Sequence, residues 1–131
     1  ESGDEMKKFC TYDGMGFQLL QKTGVKVGIL TTEDRQLNRR RAKKLGLDFD
    51  FHGAKNKLQI VEDLCQKEKI SLDEVAYIGD DVNCFELLSN VGIAVCPNNA
   101  IHKIKAIPNI IQLNKNGGEG VVREFVDQIL G

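Results

Sequence analysis

The sequence has 131 residues, of which 41% are hydrophobic and 28% charged, and its formal net charge is −1. This length suits one domain with a single core, and the near-neutral charge gives no case for a nucleic acid or an anionic membrane as a partner. No apolar run approaches the roughly 18 residues of a membrane-spanning helix. We therefore expect one domain with neither a nucleic-acid nor a membrane partner.

The cysteines are widely separated and form no C-x-x-C pair, and the chain has only two histidines that could join them in a metal site. The four are Cys10, Cys65, Cys84 and Cys96. This spacing is typical neither of a zinc site nor of a disulfide framework, so we expect reduced thiols and a cytoplasmic location.

The first half of the chain alternates apolar segments with helical ones. The predicted elements are a strand "EMKKFC" (5–10), a short helix "DGMGFQLLQKTG" (13–24), a strand "VKVGIL" (25–30), a basic helix "DRQLNRRRAKKLG" (34–46) and a brief strand "LDFDFHG" (47–53). Asp13 suits the helix N-cap, and Gly24 and Gly46 are typical helix stops. The β-rich apolar run at 25–30 predicts a buried strand.

The second half continues the alternation. Its predicted elements are a helix "KNKLQIVEDLCQKEK" (55–69), a strand "VAYIG" (75–79), a helix through "CFELLSN" (84–90), a strand "VGIAVC" (91–96), a short helix after Pro97, a strand "NIIQL" (109–113) and a closing helix. Ser71 and Glu74 have the spacing of a capping box. The closing helix has one apolar stripe, formed by Val122, Phe125, Val126, Ile129 and Leu130.

Apolar strands that alternate with helices predict an α/β fold, with a Rossmann-like parallel sheet and helices on both faces. In such sheets the chemistry lies in loops beyond the carboxyl ends of the strands. Three loops at these positions carry polar residues that a plain turn does not need: "TTED" (31–34), "HGAKNK" (52–57) and "DDVNC" (80–84).

The adjacent carboxylates Asp80 and Asp81 follow the strand "VAYIG" directly. One explanation is a solvated turn in which an Asp caps the next helix. The other is a divalent cation, because two carboxylates repel each other unless a positive charge lies between them. The pair alone leaves both explanations open.

Three features together resemble the second, third and fourth motifs of the haloacid dehalogenase superfamily: Thr31 at a strand end, Lys57 opening a helix, and Gly79-Asp80-Asp81 at a strand end. The resemblance extends along "KFCTYDGMG", "GILTTEDRQLNRRRAKKL", "KLQIVEDLC", "VAYIGDDVN" and "NGGEGVVREFVDQIL". These segments are similar to the cap-less sugar-acid phosphatases. That branch includes 2-keto-3-deoxynonulosonate 9-phosphate phosphatase, 3-deoxy-octulosonate 8-phosphate phosphatase and the related C-terminal domain of acylneuraminate cytidylyltransferases.

The resemblance implies a phosphatase of sialic acid or sugar-acid biosynthesis that requires Mg²⁺. Asp80 would bind Mg²⁺ directly, since this hard cation favours carboxylate, water and phosphate oxygens, and Asp81 would act through a bound water. Thr31 would donate hydrogen bonds to the phosphate, and Lys57 would supply a positive charge to the phosphate and the nucleophile. Taken singly, Thr31 and Lys57 could be an ordinary strand-end threonine and a solvated helix lysine.

The basic helix could be a solvated face. In the nonulosonate phosphatases, the corresponding segment supplies a Glu, an Arg and a Lys to the sugar acid, at positions that match Glu33, Arg41 and Lys44. A guanidinium pairs bidentately with a carboxylate. The resemblance therefore implies that these three residues bind the sugar-acid part of the substrate. A nonulosonate 9-phosphate is the leading substrate and an octulosonate 8-phosphate the next. The resemblance also implies a homotetramer whose neighbouring protomers close the active site.

The family's first motif, a D-x-D followed by glycine that supplies the aspartyl nucleophile, is not found in the 131 residues. "DFDFHG" has these letters but is better interpreted as a strand. We therefore expect an incomplete segment that lacks the central strand of its sheet and is inactive alone. Thr32, Tyr12 and Cys84 also depart from the family pattern, with Cys84 replacing a usual Asp. The alternative is a non-catalytic tetramerisation domain of an acylneuraminate cytidylyltransferase.

Overall fold

The computed structural model describes residues 22, 24–32, 34, 36–80, 82–116 and 121–130, without the side chains of 38, 41, 42, 45, 121, 122, 129 and 130. The chain divides into two compact units, one of Glu1–Ala54 with Lys115–Gly131 and one of Lys55–Asn114. They are called the first and second unit below. The predicted strand at 5–10, most of the predicted helix at 13–24 and residues 117–120, which precede the closing helix, lie outside the described residues.

The described elements follow the predicted order, with shorter strands. In chain order they are β1 (Gly28–Leu30), α1 (Gln36–Leu45), β2 (Phe49–Phe51), α2 (Lys57–Glu68), β3 (Ala76–Ile78), α3 (Phe85–Leu88), β4 (Ile93–Cys96), α4 (His102–Lys105), β5 (Ile111–Gln112) and α5 (Val121–Leu130). Single 3₁₀ turns, Leu72–Glu74 and Val82–Cys84, precede β3 and α3.

In the first unit, β1 and β2 form a two-stranded parallel sheet in which Gly28 lies opposite Phe49. A Cβ at Gly28 would lie 2.5 Å from the Cβ of Phe49, so the close pairing of these strands requires glycine here. Asp48 accepts a hydrogen bond of 2.7 Å from the backbone N–H of Val27. The interpretation of "DFDFHG" as a strand is therefore confirmed, and Asp48 supports strand pairing.

The two long helices of the first unit end and pack as their sequences predict. Helix α1 ends at Leu45 and is followed by Gly46, whose φ of +67° is a conformation that glycine adopts at little cost. In α5, Phe125 and Val126 are buried, as expected for the apolar stripe. The other stripe residues, Val122, Ile129 and Leu130, have side chains outside the description.

The second unit contains a three-stranded parallel sheet with the order β3-β4-β5. Its central strand β4 buries Ala94, Val95 and Cys96, whereas both residues of β5 are exposed. The α/β class with parallel strands is confirmed. Strand β5 lies at the edge of this sheet and is only two residues long, so it is less covered than the central strand β4.

The core of the second unit packs α3, α4 and the segments beside them against β4. The cluster consists of Cys84, Leu88, Ala94, Cys96, Ala100, Ile104 and Ile107. The predicted capping box is present, with Ser71 and Glu74 bonding reciprocally at the turn before β3. No helix within the described ranges is both long and apolar enough to cross a bilayer.

Candidate active site

Lys57, the first residue of α2, is a buried lysine in the second unit. Only 8% of its surface is exposed, so it is not the solvated helix lysine that its residue type alone would suggest. Its ammonium Nζ donates to the phenol oxygen of Tyr77 at 3.4 Å and to the thiol sulfur of Cys84 at 3.5 Å. Burial of a charge is costly without a partner, so this position calls for an anion.

Tyr77 and Cys84 contact each other as well as the lysine. The Tyr77 Oη and Cys84 Sγ atoms are 3.5 Å apart, so the three polar groups form a triangle, which we call the lysine cluster. Gly79 makes this packing possible: a Cβ there would lie 2.8 Å from the Cys84 sulfur and 3.0 Å from Cε2 of Tyr77. A side chain at Gly79 would therefore displace the cluster.

The phenol of Tyr77 is a neutral hydrogen-bonding group. Burial raises its pKa strongly, and the neighbouring Cys84 and the Asp80 carboxylate raise it further. The hydroxyl of Tyr77 therefore remains protonated over the physiological range of pH.

The amino-terminal end of α2 adds to the positive potential around Lys57. The N-cap residue Asn56 makes no side-chain hydrogen bond to the first turn. Backbone N–H groups at a helix start carry a partial positive charge and readily bind phosphate oxygens. An ammonium placed at such an end is stabilised by an anion that contacts both.

Asp80 follows β3 and Gly79 in the second unit, and it is exposed. Its backbone oxygen accepts a hydrogen bond of 3.2 Å from the N–H of Ile101, which holds the chain at this point. Asp81 lies outside the described residues. Within the described residues, no three His, Cys, Asp or Glu side chains cluster as a metal site.

The donors that this chain offers nevertheless fit Mg²⁺. This ion commonly keeps several waters and is held by one or two carboxylates together with substrate phosphate. The exposed carboxylate of Asp80 is a ligand of this kind, and the soft sulfur of Cys84 is directed to Lys57 instead. Asp80 is the described residue that would hold the ion.

Thr31 immediately follows β1 in the first unit, as predicted for a strand-end residue. Its N–H donates to the carbonyl of Phe51 at 3.0 Å, and its own carbonyl accepts from the N–H of Ala54 at 2.8 Å. Both bonds continue the pairing with the segment of β2, so the backbone at Thr31 is held on both sides. The side chain is half-buried.

The three predicted substrate residues belong to the first unit. Glu33 lies outside the described residues, and Arg41 lies on α1 with its side chain not described. Lys44 is exposed in the last turn of α1. Nearby, Asp34 pairs with Arg39, whose hydrogen bond lowers the pKa of the Asp34 carboxyl. The assignment of Glu33, Arg41 and Lys44 to substrate stays a prediction.

The sequence analysis missed Tyr77 as a site residue and considered Cys84 only as a departure from a pattern. A signal was present, because alternate residues of a strand point to the same face. Tyr77 is two residues before Gly79, and therefore on the face that Gly79 leaves open to Cys84. The partnership with Lys57, 20 residues earlier in the chain, has no such signal.

Comparison with known proteins places this chain in a family. Residues 47–125 match the family model of haloacid dehalogenase-like hydrolases. The chain is 33% identical over 130 residues to 3-deoxy-D-manno-octulosonate 8-phosphate phosphatase of Escherichia coli, covering 98% of this chain and 68% of that enzyme.

Solved structures give the same relation. The phosphatase of that name from Moraxella catarrhalis, in complex with magnesium ion, phosphate ion and KDO, superposes with a TM-score of 0.86 at 32% identity over 92% of this chain and 68% of that one. The cobalt-bound deoxy-D-mannose-octulosonate 8-phosphate phosphatase of Haemophilus influenzae superposes with a TM-score of 0.85 at 29% identity. The match covers 91% of this chain and 69% of that one. The chain belongs to the haloacid dehalogenase-like hydrolases and is a phosphatase-family member related to the 3-deoxy-D-manno-octulosonate 8-phosphate phosphatases.

Proposed function

We propose that this chain forms the larger part of a magnesium-dependent phosphatase that hydrolyses the phosphate monoester of a sugar acid. The observation that carries the proposal is Lys57, a buried ammonium at a helix start with no side-chain cap. Such a site favours a dianionic phosphate, because the buried charge and the N–H groups of the first helical turn act together.

Each predicted catalytic and metal-binding residue has a role in this proposal. Lys57 neutralises charge on the phosphoryl oxygens, and the hydroxyl of Thr31 donates a hydrogen bond to one of them. Asp80 would hold the metal, and Asp81 would act on it through a water. When bound, Mg²⁺ supplies a positive charge that draws the phosphate and the nucleophile together.

The attacking group in this proposal is the aspartate of the D-x-D-G motif, located on a strand outside these 131 residues. Its carboxylate oxygen bonds to phosphorus while the bond from phosphorus to the sugar oxygen breaks, and the acid/base group of the same motif gives a proton to that leaving oxygen. Water then cleaves the aspartyl-phosphate to release inorganic phosphate and the free aspartate. The support is that the chain belongs to the haloacid dehalogenase-like hydrolases and covers 68% of the related Escherichia coli phosphatase.

The proposed substrate is an octulosonate 8-phosphate, ahead of the nonulosonate 9-phosphate that the sequence analysis ranks first. The support is that the relatives described above bear the name of the octulosonate enzyme. Glu33, Arg41 and Lys44 are proposed to contact the sugar acid. The comparisons give no support to the alternative of a non-catalytic cytidylyltransferase domain.

We extend the proposal to assembly and location. A homotetramer is supported by the family resemblance and by exposed aliphatic side chains in the second unit, Val82, Ile93, Ile101 and Ile111. A cytoplasmic location is supported by Cys65, Cys84 and Cys96, which are free and buried. Light scattering of the full-length enzyme would test the assembly.

The direct test is hydrolysis by the full-length enzyme of the two sugar-acid phosphates, with and without Mg²⁺. We expect release of inorganic phosphate that requires Mg²⁺ and a higher kcat/KM for the octulosonate. A faster reaction with the nonulosonate would reverse the ranking. No release from either ester would contradict the phosphatase.

A further inference from the structure

We propose that Tyr77 is a positioning residue for Lys57: with the Cys84 thiol, it holds the buried ammonium so that one N–H remains directed to the phosphoryl group. This inference rests on the proposed function and states how the Lys57 ammonium is held in that site. The supporting observation is the number of N–H donors on the lysine and the groups that accept from them.

A lysine ammonium has three N–H donors and no acceptor. Two of them are accounted for by Tyr77 Oη at 3.4 Å and Cys84 Sγ at 3.5 Å. Among the described residues Lys57 makes no ion pair with a carboxylate. Within the described part of the chain, one donor and most of the positive charge therefore remain for a ligand.

The two partners hold the lysine without neutralising it. The hydroxyl of Tyr77 stays protonated because burial raises its pKa, and a thiol is a weak hydrogen-bonding group. A carboxylate in either place would pair with the ammonium and compete with phosphate for it. The cluster therefore restricts the rotamers of a flexible side chain while preserving its charge for an anion.

The packing around the lysine cluster makes this restriction effective. Lys57 and Cys84 are buried, and Gly79 lies against Cys84 and Tyr77 with no room for a methyl group. Tyr77 lies on β3, whose pairing with Ala94 of β4 fixes its position. A rigid strand thus sets the place of the phenol oxygen, and the phenol oxygen sets the place of the ammonium.

Four forms of the full-length enzyme test this role: wild type, Tyr77→Phe, Lys57→Met and the double variant. Tyr77→Phe keeps the ring and removes one neutral hydrogen bond, so we expect kcat/KM and the affinity for inorganic phosphate to fall about three- to tenfold. Because the bond matters most when charge develops on the phosphoryl group, kcat should fall more than KM rises. Calorimetry gives the phosphate affinity.

In the Lys57→Met background, Tyr77→Phe should have no further effect on phosphate affinity or on residual kcat/KM. Ser89→Ala is the matched control, because it removes a hydroxyl that donates to Phe85 at 2.8 Å elsewhere in the same unit. It should leave both quantities unchanged.

Equal losses from Tyr77→Phe with and without Lys57 would overturn the positioning role, as would no loss in the wild-type background. A different outcome would separate the two proposals: the enzyme hydrolyses no phosphate ester, but Tyr77→Phe weakens phosphate binding only when Lys57 is present. That outcome would contradict the proposed function and support the positioning role. A wild-type enzyme that binds no phosphate would overturn both.

Discussion

Gly79 and Cys84 approach so closely that a methyl group on Gly79 would lie 2.7 Å from the Cβ of Cys84. Contacts this short force neighbouring atoms to move, at a typical cost of about 1–3 kcal/mol in a packed interior. We predict that Gly79→Ala destabilises the protein by about that amount and lowers kcat/KM, because the displaced Cys84 is a partner of Lys57. Denaturant unfolding and steady-state kinetics measure the two effects.

A second substitution tests whether contact with Cys84 causes the loss of stability in Gly79→Ala. Cys84→Gly removes both the Cβ and the sulfur that the new methyl group would meet. The free energy lost in the double variant should therefore be smaller than the sum of the losses in the two single variants. Additive losses would show that the contact with Cys84 is not the cause.

Asp80 is predicted to be essential for dependence on Mg²⁺. Asp80→Asn keeps the shape of the side chain but removes the charge that attracts the cation, so magnesium-dependent turnover of the full-length enzyme should be abolished. Titration of Mg²⁺ by calorimetry should show a parallel loss of binding. Asp63→Asn, on the exposed surface of α2, is the control, and undiminished activity of Asp80→Asn would return Asp80 to the role of a turn residue.

Lys44 is predicted to bind the sugar acid and to take no part in the chemistry at phosphorus. A charge-assisted contact is worth roughly 1.5–3 kcal/mol, so Lys44→Ala should lower kcat/KM for sugar-acid phosphates about ten- to a hundredfold. A small aryl phosphate should be affected much less. Glu33→Ala is expected to behave in the same way.

The neighbouring residue provides the control for Lys44. Lys43 is exposed in the same last turn of α1 and has the same charge. Lys43→Ala should have little effect on either substrate. If the two variants lose the same activity, or if Lys44→Ala impairs both substrates equally, Lys44 has no specificity role.

The buried thiol of Cys96 predicts a loss of stability in alkali. Burial raises the pKa of Cys96, with Lys105 opposing this shift and Asp80 adding to it. Since the folded pKa lies above the unfolded value of about 8.5, the contribution is fully present below that pH and is lost as the pH rises beyond it. Cys96→Ala should therefore flatten the fall in unfolding free energy above about pH 8.5, by up to about 1.4 kcal/mol per pH unit.

In that experiment the slope of the unfolding free energy against pH is compared between variants. The free energy itself is not compared, because the smaller side chain also leaves a cavity that lowers stability at every pH. Val95→Ala is the control, since Val95 is equally buried in β4 but does not titrate. Its stability should parallel that of the wild type from pH 7 to pH 10. An unchanged slope in Cys96→Ala would mean that the thiol does not contribute.

The order of helices and strands could be predicted from the sequence because it depends on local patterns. Gly46 ends α1, the capping box of Ser71 and Glu74 forms before β3, and Phe125 and Val126 lie on the buried side of α5. The strands are shorter than the apolar runs that predict them: the run 25–30 contributes only Gly28–Leu30 to β1. Apolar character marks where a strand can form, but its ends depend on how much of a partner strand pairs with it.

The sequence by itself determined the α/β class, the family and the position of Lys57 and Asp80 at the ends of regular elements, since periodicity and breaking residues are local properties. Only the tertiary structure decided that Lys57 is buried and which groups hold it. Tyr77 and Cys84 lie 20 and 27 residues further along the chain, and they meet Lys57 because α2, β3 and the turn before α3 pack together. Contacts of that kind depend on the distances between packed elements, which no local pattern contains.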